Sequence, residues 1–495
     1  MKQAGVLMAI SSLPSRFGIG DFGPSAFSFV DYLAKAGIDI WQILPLNRLG
    51  YGNSPYQAYS SIAGDEIFIS LDTLMEDGYL TPSDVAELYA DATRVDYDAV
   101  RLYKTQCLRK AFAHFQAHYP RYKAQFSAFL AAHTWWLYDY SVFLALKNAN
   151  NAMCWTKWIP PHRDWMLDKQ VDLSMYETEI AFYQFLQFIF FDQWQRLKAY
   201  ANANGVSIMG DMAYYVGMDS VDVWANRQYF LLDKDYEPTH VAGVPPDLFT
   251  DEGQRWGNPI YNWAAIQRDD FIFWIERFRF HADMFDCLRI DHFRAFDTYW
   301  KIPAEEETAI HGEWVKAPGY AFFDTLFAAL PEINLVVEDL GLMRPSVFRL
   351  RDHYHFMGME IMQYSFGKNG RPRPRVLREI GHKIAYTGTH DNQTTLGWFL
   401  SEPVEQQEKI KRYLDKQGYQ GGIVDQFIQY TLYSGAPTVV VPVCDILGLD
   451  DVARMNTPGT VGSPNWEWKL VDFGLFAERV VGFADWVRGW KGMCP

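Results

Sequence analysis

Phe285-Asp-Cys-Leu-Arg-Ile-Asp-His-Phe293 runs through Leu288 and Ile290 and stops at Asp291. A strand covered on both faces reads as an apolar run, and in parallel sheets functional groups collect where such a run ends. Two more stretches repeat the pattern: Asn334-Leu-Val-Val-Glu-Asp-Leu-Gly341 ends on Glu338, and Ile384-Ala-Tyr-Thr-Gly-Thr-His-Asp-Asn392 ends on His390 and Asp391. One acid after an apolar run is most often a helix N-cap or a loop residue. Three of them, with Arg289, His292, Asp339, His390 and Asn392 alongside, point to a shared site.

Working outward, further strand-like runs are Val6–Ile10, Ile38–Leu44, Ser207–Asp211, Met359–Tyr364 and Thr438–Val443, which with the first three stretches makes eight. Helical intervals separate them. The first is opened by Gly23-Pro24, closed by Gly37, and carries Phe29, Val30 and Leu33 on one face. Eight strands alternating with helices predict an α/β (β/α)8 TIM barrel.

The spacing is uneven. Roughly 150 residues between the second and third strands form amphipathic, aromatic-rich helix, which predicts a mainly helical insertion over residues 48–204. A shorter stretch, 217–282, holds Val244-Pro-Pro-Asp247 and Gly253-Gln-Arg-Trp-Gly-Asn-Pro259 and reads as a loop-rich insertion. No linker or repeat divides residues 1–495, so a single catalytic barrel with insertions is expected, without a separate C-terminal β-sandwich.

Composition narrows the partners. The 495 residues carry 45 Lys+Arg against 60 Asp+Glu, a net charge of −15. That charge disfavours nucleic acid and is indifferent to neutral polymers. The apolar stretch Phe182–Phe191 is interrupted by Gln184 and Gln187 and followed by Asp192, too short and polar to span a bilayer. No membrane association is expected. The N-terminus reads as the first strand and not as a signal peptide. Five cysteines, at 107, 154, 287, 444 and 494, include no C-x-x-C pair; this suits a reduced, cytoplasmic chain without disulfide framework or zinc. Nothing matches a calcium loop, so no cofactor or metal is expected.

Paired carboxylates at barrel strand ends suit glycosidic bond exchange, which uses one as nucleophile and the other as proton donor; Asp291 and Glu338 are the candidates. Arg289 lies two residues before Asp291 on the same face, where its guanidinium can hold that acid ionised.

Seven motifs then carry a family resemblance: Gly18-Ile-Gly-Asp-Phe-Gly23, Gly50-Tyr-Gly-Asn-Ser-Pro-Tyr56, Gly210-Asp-Met212, Arg289-Ile-Asp-His-Phe-Arg294, Glu338-Asp-Leu-Gly341, Gly388-Thr-His-Asp-Asn392 and Arg454-Met-Asn-Thr-Pro-Gly459. In this order they resemble the amylomaltases, the 4-α-glucanotransferases of glycoside hydrolase family 77. The resemblance implies transfer of α-1,4-glucan segments between glucans or maltooligosaccharides by a monomer or small homo-oligomer. It implies Asp291 as nucleophile, Glu338 as general acid/base and Asp391 as the third carboxylate, which holds sugar hydroxyls. His390 would donate a hydrogen bond to the sugar, and Asp211 would support the nucleophile. Ser54 and Tyr56 resemble donor-side contacts and Tyr51 an outer platform. Gln254, Trp256 and Asn258 lie on the segment that in this family arches over the cleft as a lid, and Asn465 is a further sugar contact. The chain departs from the family pattern at Asn53, Ala295, Gln393, Cys444 and Lys469, of which Gln393 is placed to alter the charge around Asp391. A hydrolytic α-amylase-like enzyme is the nearest competing reading, and a non-catalytic glucan-binding protein of the same fold is the other.

Overall fold

The computed structural model describes residues 2–88, 92–169, 171–246 and 250–493. Asp247 and Cys494 lie outside them. Among the described residues, twelve strands occur in chain order: β1 (Gln3–Leu7), β2 (Ile40–Gln42), β3 (Ser207–Met212), β4 (His240–Val244), β5 (Gln254–Pro259), β6 (Cys287–Ile290), β7 (Thr298–Pro303), β8 (Glu313–Lys316), β9 (Leu335–Val337), β10 (Gly358–Ile361), β11 (Lys383–Tyr386) and β12 (Thr438–Pro442).

Eight of them, in the order β1-β2-β3-β6-β9-β10-β11-β12, pair in parallel, and β12 pairs back onto β1. Between β9 and β10 the only rung among the described residues is the bridge Val336–Met357. The result is a (β/α)8 barrel, and all eight expected runs are its strands. Their ends differ by a few residues because the apolar runs continue into the turns.

The helix Pro24–Ala36 follows its sequence signals: Gly23 precedes it, Pro24 fills the first turn, and Gly37 closes it in the left-handed region at φ 71°. Residues 48–204 hold the helices Tyr97–Ala117, Tyr119–Ala132, Leu137–Ala149 and Glu177–Ala203. The last belongs to both bodies. Its N-terminal half packs Phe185 and Phe188 against Phe112, Phe115, Phe126 and Phe129, and Trp194 packs on Phe285 just before β6. Buried Gln187 explains the polar interruption of the apolar run: its amide donates to the Gly64 carbonyl at 2.8 Å and accepts from the Gly64 N–H at 2.9 Å. No helix among the described residues is long and apolar enough to cross a membrane.

The region expected to be loop-rich, 217–282, needs correction. Its β4 and β5 join β7 and β8 in an antiparallel sheet of order β5-β4-β7-β8, which extends past residue 282. The Gly253-Gln-Arg-Trp-Gly-Asn-Pro259 segment reads as turns because Gly and Pro dominate it, yet most of it is an edge strand, where proline is tolerated. No strand follows β12 among the described residues; the chain ends on the helix Gly474–Gly492, packed against Pro24–Ala36 through Phe29 and Phe476.

Candidate active site

Strand register builds the site. β3 and β6 place Asp211 directly beside Arg289, so both side chains emerge on one face. The Arg289 guanidinium donates to both Asp211 oxygens at 2.7 Å and to Asp291 Oδ1 at 3.2 Å. One strand further, the Glu338 N–H donates to the Ile290 carbonyl at 3.0 Å, which sets Glu338 beside Asp291 at the barrel's C-terminal mouth. Glu338 Oε2 lies 3.9 Å from Arg289 Nη2. Two oxygens held 3.2 and 3.9 Å from one nitrogen are at most 7.1 Å apart.

Glu338 Oε2 also accepts the His292 N–H at 2.7 Å. His292 has a left-handed backbone, φ 49°, so the chain turns sharply right after Asp291 and aims this N–H at the neighbouring acid.

Asp391 joins from the loop after β11. His390 Nε2 stands 3.4 Å from its Oδ2, and Asn456 Nδ2 donates to its Oδ1 at 2.7 Å. Arg454 donates to the Asp391 carbonyl at 3.0 Å. The Tyr56 hydroxyl donates to Asp211 Oδ2 at 2.8 Å and lies 2.9 Å from His390 Nε2. With that hydroxyl proton engaged on Asp211, the histidine carries its proton on Nε2 and donates to Tyr56. In that arrangement His390 Nδ1 is left without a partner among the described residues.

Burial governs the electrostatics. It drives the Asp291 carboxyl well above the ordinary aspartate range, opposed by Arg289 and reinforced by Glu338, Asp211 and Asp391. Burial also raises Glu338, opposed by Arg289 and the His292 N–H. The direct Arg289 hydrogen bond favours the ionised form of Asp291. Two acids this close titrate as one unit. Burial lowers both histidines, His292 to about 3, so both are neutral near pH 7. Tyr56 is pushed well above the ordinary phenol value by burial and Asp211, and stays protonated.

The remaining residues named from sequence range from buried Asn258 and Asn465 to exposed Tyr51. Trp256 on β5 meets His292 edge to face at 4.9 Å, and Gln254 accepts from its indole N–H at 3.1 Å. Asn258 donates to the Val216 carbonyl at 2.9 Å. Ser54 Oγ accepts the Tyr56 N–H at 3.3 Å. Tyr51 stands 78% exposed on the outer lip. Asn465 has both amide ends inside its own loop, accepting from Thr457 N–H and donating to Thr460 Oγ1, each at 2.9 Å. Gln393 turns away from Asp391 and donates to Asp451 at 2.8 Å. A pocket borders His390 and is lined by Met8, Leu44, Cys444, Arg454 and Met455. Its walls do not include Asp291 or Glu338.

Sequence reasoning missed two residues. Asn456 orients Asp391, and its only signal is its place in Arg454–Gly459. Gln57 donates to the Trp256 carbonyl at 3.2 Å and to Asn258 Oδ1 at 2.9 Å, tying β5 to the loop after β2. It follows Tyr56 directly but carries no pattern of its own.

Comparison with known proteins agrees with this geometry. The profile of the 4-alpha-glucanotransferase family matches residues 8–473. The 4-alpha-glucanotransferase of Synechocystis sp. is 43% identical over 481 residues, 94% of this chain and 93% of its own. That of Thermus thermophilus is 40% identical over 488 residues, 96% of each chain. Among solved structures, the amylomaltase from Streptococcus agalactiae in complex with acarbose matches with a TM-score of 0.94 at 34% identity, covering 99% of both chains. The chain belongs to glycoside hydrolase family 77, the 4-alpha-glucanotransferases.

Proposed function

We propose that this protein transfers α-1,4-glucan segments between maltooligosaccharides by retaining double displacement, with Asp291 as nucleophile and Glu338 as general acid/base. The observation that carries the reading is the pair of acids gathered by one guanidinium. Retaining enzymes hold their carboxyls about 5–5.5 Å apart and inverting ones about 6.5–9.5 Å. The 7.1 Å ceiling on the two oxygens supports the retaining class and opposes most of the inverting range.

In the first half, protonated Glu338 donates to the glycosidic oxygen while Asp291 attacks the anomeric carbon; the carbon–oxygen bond breaks and the leaving chain departs with a free 4-hydroxyl. In the second, ionised Glu338 takes the proton of an incoming 4-hydroxyl, whose oxygen attacks the same carbon and releases Asp291. Arg289 stabilises the Asp291 carboxylate before and after. Asp391, fixed by Asn456, holds sugar hydroxyls, and Tyr56 and His390 line the donor side with neutral groups. The Trp256 strand covers the glycosyl-enzyme, because water at about 55 M otherwise outcompetes an acceptor. The substrates are α-glucans, the compartment is the reduced cytoplasm, and Cys107, Cys154, Cys287 and Cys444 are all free thiols.

Incubation with maltotriose alone tests the reaction. Glucose together with a ladder of longer chains is expected. Accumulation of shorter sugars only would replace transfer by hydrolysis, and an absence of turnover with retained glucan binding would favour a binding protein.

A further inference from the structure

The barrel has one weak seam, and it lies under the proposed acid/base. Every other pair of neighbouring barrel strands forms a ladder of three to five paired residues. β9 and β10 share the Val336–Met357 bridge and the Val337 N–H to Met357 carbonyl bond at 2.9 Å. The next rung of a parallel ladder would take the Met359 N–H to the Val337 carbonyl. It goes instead to a side chain, Asp339 Oδ1, at 2.7 Å.

Asp339 directly follows Glu338. Its other oxygen accepts Arg351 Nη1 at 2.5 Å, from the helix Pro345–His353, and lies 3.8 Å from Lys383 Nζ on β11. Lys383 Nζ in turn donates to Glu360 at 3.0 Å and to the Met359 carbonyl at 3.2 Å. Asp339 and Lys383 are both 4% exposed; the two bases Arg351 and Lys383 face Asp339, Glu360 and, at the exposed outer end, Asp352, which accepts from Arg351 Nη2 at 2.6 Å. The fit is close: a Cβ on Gly358 would meet Asp339 Oδ2 at 2.5 Å, so the carboxylate rests against the β10 backbone. A buried charge cluster of this kind is worth little as net stability but fixes geometry.

We propose that Asp339 is a positioning residue for Glu338: clasped by Arg351 and Lys383, it replaces the missing backbone rung and locks the strand end from which the acid/base projects. The inference rests on Glu338 holding that role. The groups that face Glu338 are Arg289, the His292 N–H, Asp291 and Asp391, with Asp339 behind it. Of these, Asp339 and Asp391 raise its proton affinity, whereas Arg289 and the N–H lower it.

The test uses two substitutions with opposite electrostatic sign, each assayed for kcat, KM and pH profile with maltotriose. Asp339→Asn keeps an oxygen for the Met359 N–H and removes a negative charge. It is expected to lower kcat by up to ~10²-fold through misplacement of the acid, with KM within about twofold. The alkaline limb of its kcat profile moves to lower pH. Arg351→Met leaves Asp339 less neutralised and moves that limb to higher pH. Arg351 sits at the outer end of the cluster, so this variant decides the matter if Asp339→Asn does not fold. Unshifted limbs, shifts of the same sign, or losses that follow the folded fraction alone would overturn the proposal. Glu338→Gln separates the two readings: if it retained turnover, the acid/base assignment itself would fail.

Discussion

At the scale of single residues, the site works through charges that are buried and paired. Arg289 is the residue on which the others depend, because Asp211 is fully buried and both its oxygens face that guanidinium. Arg289→Met leaves a buried carboxylate unpaired and is predicted to cost about 3–5 kcal/mol, read from denaturant midpoints, besides abolishing transfer. Asp291→Asn is predicted to remove transfer by at least ~10³-fold while glucan binding, followed by tryptophan fluorescence, stays within a few-fold. The pH dependence has a definite sign. Glu338 must be protonated to donate, so activity falls as pH rises through its pKa, and burial places that limb above the ordinary glutamate value. The same raised carboxyl binds its proton more tightly folded than unfolded, so its contribution to stability is also lost as pH rises through the folded pKa.

At the scale of elements, side chains that bind backbone replace ladders and caps. Gln187 and Gln193 on the helix Glu177–Ala203 each hold the loop after β2 by both amide ends, at Gly64 and at Ser70. Gln187→Leu strands a buried N–H and a carbonyl and is predicted to cost about 2–5 kcal/mol in urea denaturation. Gln57→Ala cuts β5 from the loop after β2, and if β5 shields the glycosyl-enzyme as proposed, about 1–3 kcal/mol of lost hydrogen bonding is predicted to raise the hydrolysis share of maltotriose turnover by roughly tenfold. The eight barrel strands were legible because strands such as Val439–Val441 or Leu335–Val337 are continuous apolar runs between turn residues. The antiparallel sheet was not. β4 finds its partner β7 more than fifty residues later, and β5 carries Gly257 and Pro259, so neither periodicity nor composition marks it. The three acids were legible as strand ends, whereas Asn456 and Gln57 act only through loops that tertiary packing brings to the cleft.

At the scale of the molecule, one continuous hydrophobic core runs from the barrel through the helical insertion, and a small separate cluster of Val241, Trp300, Ile302 and Ala309 lies under the antiparallel sheet. The acids sit at strand ends of the barrel built on the larger core, and Trp256, on the edge strand of the antiparallel sheet, packs its ring against that same core. With a net charge of −15 and a neutral substrate, electrostatic steering has no role. The KM for maltotriose is predicted to change less than about twofold between roughly 50 and 500 mM salt, since screening acts only on charged partners. A glycosyl-enzyme at Asp291, formed with the help of Glu338, is within reach of a trapping experiment. The Glu338→Gln protein is given α-maltosyl fluoride, whose leaving group needs no proton, and its intact mass and proteolytic peptides are then measured. A maltosyl adduct is expected on the peptide containing Asp291, lost in the Asp291→Asn, Glu338→Gln protein. An adduct on another residue, or fluoride release without any adduct at all, would contradict it.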